Sequence, residues 1–152
     1  MEATKIKNYE REHGLGTFVP FRHLTMAEAA RIREALKECL GLPENVIPKD
    51  MVRLIQDRSM SLKGINAASD DFNPRLLLDR LGFNLSNTTY LNWYHYDDID
   101  ELKTSDLLEK FGYLWYPSAD DLDLIDSKMH WILSIQHFGA VRALDLSMCR
   151  GL

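Results

Sequence analysis

Hydrophobic positions in the first half of the chain recur at helical spacing. Thr25 forms a capping-box pattern with Glu28, and apolar residues follow at intervals of three and four as far as Gly41. Proline is tolerated at the first position of a helix, so Pro48 is predicted to begin a second helix. This helix is predicted to run from Lys49 to about Arg58. These two segments predict long amphipathic helices.

A third helix is predicted close to the middle of the chain. Asn73 supplies an N-cap, Pro74 supplies a first helical residue, and Gly82 supplies the terminating glycine. The preceding residues, 59–73, show no sustained period and are interpreted as a loop with at most one short strand. The helical part is therefore predicted to occupy about residues 1–82.

The period changes to two after this glycine. Residues 88–96, TTYLNWYHY, alternate between two faces and are rich in β-branched and aromatic side chains, which is typical of a strand. Similar short patterns separated by turn residues predict four more strands, over residues 112–117, 119–126, 130–139 and 140–147.

Two segments between these strands are interpreted differently. Residues 97–103 are predicted to be an acidic connection without regular structure. Thr104 or Ser105 is predicted to cap a short helix over residues 106–111, which closes before Gly112.

The predicted architecture is one α+β domain over residues 1–152. Short connections force neighbouring strands to be antiparallel, because a parallel pair needs a longer crossover. We expect a roughly five-stranded antiparallel sheet over about residues 88–147, with the N-terminal helices packed on one of its faces.

The net charge of −5 is unevenly distributed. Residues 1–63 carry a net charge of +2, whereas residues 95–126 carry ten acidic residues against Lys103 and Lys110, a net charge of −8. Such a field repels phosphate backbones and attracts basic proteins. The pattern therefore favours a basic protein partner and argues against a nucleic-acid partner.

Other features bear on the cellular location. The chain has no apolar stretch of about 18 residues, and its first twelve residues lack the apolar region of a signal peptide. We therefore expect a cytoplasmic protein with no membrane partner. Cys39 and Cys149 are too few for a disulfide framework and are predicted to be reduced, partly buried thiols.

The acidic segments lie beside aromatic residues that could anchor an interface. Electrostatic complementarity raises association rates, and aromatic side chains supply buried anchor points in protein interfaces. The alternative is that about half of these aromatic residues pack in the core, because one face of each strand must be buried. The predicted partner-binding residues are Tyr96, Asp97, Asp98, Asp100, Glu101, Trp115, Tyr116, Asp120, Asp121 and Asp123.

Motifs for catalysis are absent. The chain contains no GxSxG, CxxC, HExxH, P-loop or GxGxxG sequence, and its carboxylates lack the spacing of an EF-hand. No catalytic residue and no cofactor are therefore predicted. A metal-dependent hydrolase using Asp120, Asp121, His95 and His137 stays an alternative, although carboxylate runs are more often solvated faces and strand-end histidines are more often structural.

The segment FGYLWYPSADDLDLIDSKMHWILSIQHFG, residues 111–139, resembles a pattern in bacterial immunity and immunity-like proteins of polymorphic-toxin and contact-dependent inhibition systems. The shared features are an aromatic strand ending near a proline, a paired Asp before a short strand, and a Trp-led strand ending in His and Gly. The resemblance implies a protein that neutralises a toxin domain, often a nuclease with a basic groove, by covering it. It carries over no catalytic residue.

Three hypotheses therefore remain open. The first is a non-enzymatic immunity-type inhibitor that presents its acidic aromatic surface to a basic toxin. The second is the metal-dependent hydrolase, and the third is a structural or assembly protein of a mobile element.

Overall fold

Six helices and seven strands form the part of the chain that the structure, a computed structural model, describes, which is residues 1–148. The helices are α1 (Ala3–His13), α2 (Met26–Leu40), α3 (Pro48–Arg58), α4 (Pro74–Arg80), α5 (Thr104–Glu109) and α6 (Phe111–Leu114). The strands are β1 (Phe21–His23), β2 (Met60–Asn66), β3 (Thr88–Tyr94), β4 (Asp98–Lys103), β5 (Leu122–Asp126), β6 (Trp131–Ile135) and β7 (Ala140–Asp145). The α+β class predicted from the sequence is confirmed.

All seven strands belong to one antiparallel sheet with the order β1-β4-β3-β5-β6-β7-β2. The predicted number of about five strands is too low. Both edge strands, β1 and β2, come from the N-terminal half of the chain, so the sheet is not confined to residues 88–147. Strand β1 has only three residues, too few for its alternation to stand out in the sequence.

The predicted caps and turns explain where several helices begin and end. The Thr25 side chain accepts a hydrogen bond from the Glu28 backbone N–H at 3.2 Å, and the Glu28 carboxylate accepts one from the Thr25 N–H at 2.8 Å. Asn73 Oδ1 accepts a bond from the Leu76 N–H at 3.1 Å. The sequence signals for α2 and α4 are thus confirmed, whereas α5 begins after Lys103 without a side-chain cap.

Two predictions in the second half of the chain are wrong. The acidic connection over residues 97–103 contains strand β4, in which Ile99 and Leu102 are buried on opposite faces of the sheet. The strand predicted over residues 112–117 does not form. Phe111 and Leu114 are spaced for one side of a helical turn and are buried in α6 instead.

The sheet separates two hydrophobic cores. Side chains of Leu91, Leu124 and Leu133 lie in the first core, whereas Ile125 and Ile132 lie in the second, as strand alternation requires. Helices α4, α5 and α6 contribute to the first core through Leu77, Leu78, Leu107, Leu108, Phe111 and Leu114. Helices α2 and α3 contribute to the second through Ala29, Ile32, Leu36, Met51 and Ile55.

Helices therefore cover both faces of the sheet, and the prediction of packing on one face is wrong. The physical reason lies in the central strands. Every residue of β5 and β6 is buried, because both faces of these strands carry apolar side chains. Antiparallel sheets more often leave one face to solvent. The polar side chains on β5 and β6 must consequently find partners inside the protein.

Two further observations concern the location of the protein. No helix among the described residues has the length and apolar character needed to span a membrane. Cys39 is disulfide-bonded, so the prediction of a reduced thiol at this position is wrong, and Cys149 lies outside the described residues. The cytoplasmic location stays a prediction.

Gly139, in the turn between β6 and β7, gives a direct test of the packing of edge strand β2. Its φ is +95°, and a methyl group there would lie 1.9 Å from Asn66 Oδ1 and 3.1 Å from the Ala68 nitrogen. Gly139→Ala should lower the free energy of unfolding by about 2–4 kcal/mol, because backbone strain adds to overpacking.

Gly82→Ala is the matched control, since φ is +69° and nothing lies within 4 Å of its added methyl group. This variant should lose only about 1 kcal/mol from backbone strain. Urea unfolding of both variants provides the comparison, and equal losses would contradict the close packing at Gly139.

Candidate functional site

The hairpin between β3 and β4 has an unusual backbone. His95 and Tyr96 both have positive φ, at 55° and 60°, a region that non-glycine residues seldom adopt. Positive φ costs about 1–2 kcal/mol for a residue with a side chain. The Tyr96 N–H donates to Asn92 Oδ1 at 2.9 Å, and Arg33 donates to the Tyr96 carbonyl at 2.6 Å. The fold therefore holds this hairpin in a strained conformation.

A cleft of about 260 Å³ lies between α3 and this end of the sheet, and we call it the α3 cleft. Helix α3 contributes Lys49, Arg53 and Gln56 to its lining. The sheet contributes Asn92 and Asp123, and the adjoining segments contribute His95, Asp121 and His137. The cleft thus combines cations of α3 with polar groups of the sheet, and Val52, Leu122, Ile135 and Phe138 add apolar surface.

Asp123 is the buried acid of this cleft. Asn92 Nδ2 donates to its carboxylate at 3.0 Å, and the hydroxyls of Tyr96 and Ser134 lie beside it. Both hydroxyls act to lower the pKa of the Asp123 carboxyl, but neither has a partner at normal hydrogen-bond distance and angle. Burial raises the pKa of Asp123 above its ordinary value of 3.8, although the neighbouring polar groups oppose this shift.

Tyr96 responds to the same surroundings. Its side chain is fully buried, and burial followed by the nearby Asp123 carboxyl raises the pKa of the Tyr96 hydroxyl well above 10. The hydroxyl therefore keeps its proton and can act as a hydrogen-bond donor.

A second depression, of about 370 Å³, lies on the neighbouring side of Asp121, and we call it the acidic groove. Glu2, Asp98, Asp120 and Asp121 line it together with the ring of Trp93. Four carboxylates around one indole ring are suited to binding a cationic side chain.

Lys5 lies beside this groove and is inaccessible to solvent. Its ammonium group forms an ion pair with Asp120 and lies 4.6 Å from the ring centre of Trp93 and 4.9 Å from that of Tyr116. The Tyr116 N–H also donates to the Asp120 carboxylate, at 2.7 Å. Asp120 is therefore neutralised inside the protein.

Asp100 is likewise engaged internally. Its carboxylate contacts His23 Nδ1 at 3.0 Å, Trp93 Nε1 at 2.7 Å and the amino group of Met1. His23, Asp98 and Asp100 are the single group of three or more potential ligands among residues 1–148 whose ligand atoms lie within 4.8 Å of one another. Because both Asp100 oxygens already have protein partners, this group does not form an open metal site.

The ten predicted partner-binding residues differ widely in exposure. Asp97 and Asp98 are exposed, whereas Glu101, Tyr116 and Asp121 are partly exposed. Glu101 pairs with Arg22 at 2.7 Å and Asp121 with His137 at 3.0 Å. The other five are buried: Tyr96, Asp100, Trp115, Asp120 and Asp123.

The expectation of a continuous exposed surface is therefore corrected for these five residues. Tyr96 is 0% exposed in the second core and Trp115 is 3% exposed in the first, so neither ring is available as an anchor in this conformation. The reason is that helices cover both faces of the sheet, which leaves no outer face for these aromatic side chains.

The residues of the predicted hydrolase site are separated in the same way. His95, His137 and Asp121 all line the α3 cleft, but Asp120 is paired with Lys5 beside the acidic groove. The four residues thus do not form one common site.

Several residues of these sites were not predicted. Lys5 belongs to a largely polar helix and gives no sequence signal of burial. Asn92 and Ser134 do give one, since each interrupts an otherwise apolar or aromatic strand. Asp123 likewise stands between Leu122 and Leu124, which could have marked it as a buried acid.

These features define an antiparallel α+β protein with an acidic groove and a separate polar cleft at one end of its sheet. Comparison of the chain with protein-family models, curated proteins and solved structures finds no match. The resemblance to immunity proteins therefore stays a prediction.

The Lys5–Asp120 pair should be essential for stability. Lys5→Met would leave a buried carboxylate without its cation and should lower the free energy of unfolding by about 3–5 kcal/mol. Adding Asp120→Asn should recover part of this loss, because it removes the unpaired charge. Lys7→Met, at an exposed position of α1, should change stability by about 0.5 kcal/mol or less. Equal losses of unfolding free energy for Lys5→Met and Lys7→Met, measured by urea unfolding, would refute the buried pair.

Asp123→Asn should have the opposite effect and raise the free energy of unfolding near neutral pH. The folded chain holds the Asp123 proton more tightly than the unfolded chain, so the charge becomes unfavourable as the pH rises above 3.8. The gain should shrink when the pH falls below about 4, where both states are protonated. Urea unfolding of parent and variant near pH 7 and near pH 3.5 measures this gain in stability. A variant that is less stable than the parent near pH 7 would show that the charged carboxylate supports the fold.

Proposed function

We propose that this protein is a non-enzymatic binding module that holds basic side chains of a partner protein in the acidic groove. The observation that carries this proposal is the convergence of Glu2, Asp98, Asp120 and Asp121 around Trp93. Three of these carboxylates, those of Glu2, Asp98 and Asp121, retain exposed surface.

The groove already illustrates the chemistry that a partner would use. Lys5 places its ammonium group between the Asp120 carboxylate and the rings of Trp93 and Tyr116. A lysine or arginine of a partner could make comparable contacts with the carboxylates of Asp98 and Asp121. Combined charge and aromatic contacts are favourable for such cations, especially once water is excluded.

Charges around the groove would also guide a basic partner toward it. Asp97 is exposed next to Asp98, and the described residues provide no cation that pairs with Asp97. Uncompensated surface charge steers oppositely charged proteins and raises their association rate. The interface is thus smaller than the ten-residue surface expected from the sequence, and it centres on Asp97, Asp98 and Asp121.

We further propose that the partner is a toxin domain and that binding inhibits it. The support is the resemblance of residues 111–139 to immunity proteins, together with an acidic groove that suits the basic active-site surface of a nuclease. In this proposal the protein acts by occlusion, with no catalytic residue and no cofactor of its own.

The test is affinity capture with the full chain, compared with a variant carrying Asp97→Lys and Asp98→Lys. The parent should capture a basic protein from the native host, and the variant should associate on the order of ten times more slowly. Asp79→Lys is a matched control, because Asp79 is an exposed acid in α4 away from the groove.

Salt and co-expression complete this test. Capture should weaken as salt rises from about 0.05 M to 0.5 M, because exposed charges are screened. Co-expression of the parent should protect cells from the captured protein. Capture that is equal for parent and double variant, or insensitive to salt, would contradict the groove as the binding surface. A captured protein with no toxicity would contradict the inhibitor function alone.

A further inference from the structure

We propose that the α3 cleft binds a small molecule with a planar fork of N–H donors at one end and an anionic group at the other. This inference is independent of the acidic groove and of its protein partner. It follows from the carboxylate inside the cleft, the cations on its helical wall and the strained hairpin beside it.

Strand β5 carries two buried acids, Asp123 and Asp126, and their surroundings differ. Asp126 is fully buried and accepts hydrogen bonds from the backbone N–H groups of Ser86, Lys128 and His130, at 3.0–3.2 Å, and contacts His130 Nδ1 at 2.6 Å. A carboxylate surrounded in this way is structural and needs no further partner.

Asp123 lacks such a shell. Its contacts come from side chains: Asn92 donates to it at 3.0 Å, and the hydroxyls of Ser134 and Tyr96 interact with it without completing a bond of normal geometry. Ser134 is 2% exposed and Tyr96 is 0% exposed, so solvent does not satisfy these groups. Asp123 lines the cleft with fewer hydrogen bonds than Asp126, and a buried carboxylate in a cavity lining is a candidate ligand contact.

The Asp123 carboxylate in the lining of the cleft defines one end of the ligand. A carboxylate can accept two parallel N–H bonds, and a guanidine-type fork matches this geometry better than a single ammonium group. Ligands with such a fork include free arginine and the guanine base, which presents adjacent ring and exocyclic N–H groups.

Helix α3 defines the other end. Lys49 and Arg53 are four residues apart, line the same wall of the cleft and form no ion pair among residues 1–148. Side chains with this spacing lie on one face of a helix. An anionic group such as a carboxylate or a phosphate would neutralise them.

The size of the cleft limits the ligand further. Its volume of about 260 Å³ is below the range of about 300–1,000 Å³ that is typical of drug-sized ligands. It suits an amino acid, or a nucleotide whose phosphate remains at the mouth.

The strained hairpin is the third observation. His95 contributes to the cleft lining, and Tyr96 brings its hydroxyl to Asp123, while both residues keep positive φ. Strain of this kind persists where the surrounding structure enforces it, and it is concentrated at functional sites. Here it places His95 in the cleft lining and the Tyr96 hydroxyl beside Asp123.

The proposal is tested by isothermal titration calorimetry of the full chain with five probes. L-arginine and guanosine monophosphate carry both ends of the proposed ligand. Norleucine and adenosine monophosphate lack two parallel N–H donors, and agmatine keeps the fork but lacks the carboxylate. We expect arginine or guanosine monophosphate to bind, with at least tenfold weaker binding of its fork-lacking counterpart.

Variants assign the binding to the cleft. Asp123→Asn should lower the affinity for the probe at least tenfold, and Arg53→Gln should lower it severalfold. Asp145→Asn is the matched control, because Asp145 is an exposed acid on β7 whose carboxylate accepts from Ser147. Thermal unfolding of each variant confirms that it is folded. His95→Gly should raise the midpoint of thermal unfolding by relieving backbone strain, yet weaken binding of the probe.

Each outcome decides one part of the proposal. No binding of either complete probe, or equal binding by folded Asp123→Asn, overturns the site. Equal binding of norleucine or adenosine monophosphate overturns the donor fork. Equal binding of agmatine, or of the Arg53→Gln variant, overturns the anionic end. The Asp97→Lys, Asp98→Lys variant should bind the probe normally, so failure of the cleft and failure of the groove are distinguishable.

Discussion

The structure depends on burial of the sheet on both faces. Strands β5 and β6 have no solvent-exposed residue, so each polar side chain on them requires a partner within the protein. Asp126 meets this requirement through backbone N–H groups and His130. Asp120, which precedes β5, is also buried and is paired with a fully buried lysine from α1. The carboxylates therefore help to determine how the helices and turns meet the sheet.

This constraint divides the acidic residues into two groups. Asp100, Asp120 and Asp126 form contacts inside the protein, whereas Asp97 and Asp98 remain at the surface of the hairpin. Part of the negative charge of residues 95–126 is thus paired with the Met1 amino group, Lys5 and Arg22. The charge still available to a partner is concentrated at one end of the sheet, next to Trp93, and this is why we place the protein interface there. Asp123 belongs fully to neither group, because it is buried but only partly hydrogen-bonded.

Local signals predicted the elements whose ends depend on nearby residues. The capping box of Thr25 and Glu28 and the Asn73–Pro74 start of α4 act within one helical turn, and both helices form as expected. Period-two patterns likewise predicted the segments of β3, β5, β6 and β7. Strand β4 was missed because its acidic residues suggested an exposed connection, although Ile99 and Leu102 are buried on opposite faces. Strands β1 and β2 depend on pairing with distant strands, which a local pattern does not contain.

The site was less predictable because burial depends on the whole fold. Tyr96 stands next to acidic residues in the sequence, but only the tertiary structure shows that its ring lies in the second core.

The most direct test of the division between structural and available carboxylates compares the free energies of unfolding of Asp126→Asn and Asp98→Asn by urea titration. Asp126→Asn should lose about 2–3 kcal/mol, because its charge-assisted hydrogen bonds are weakened, whereas Asp98→Asn should change by about 0.5 kcal/mol or less. Similar losses for both variants, or a larger loss for Asp98→Asn, would contradict the account.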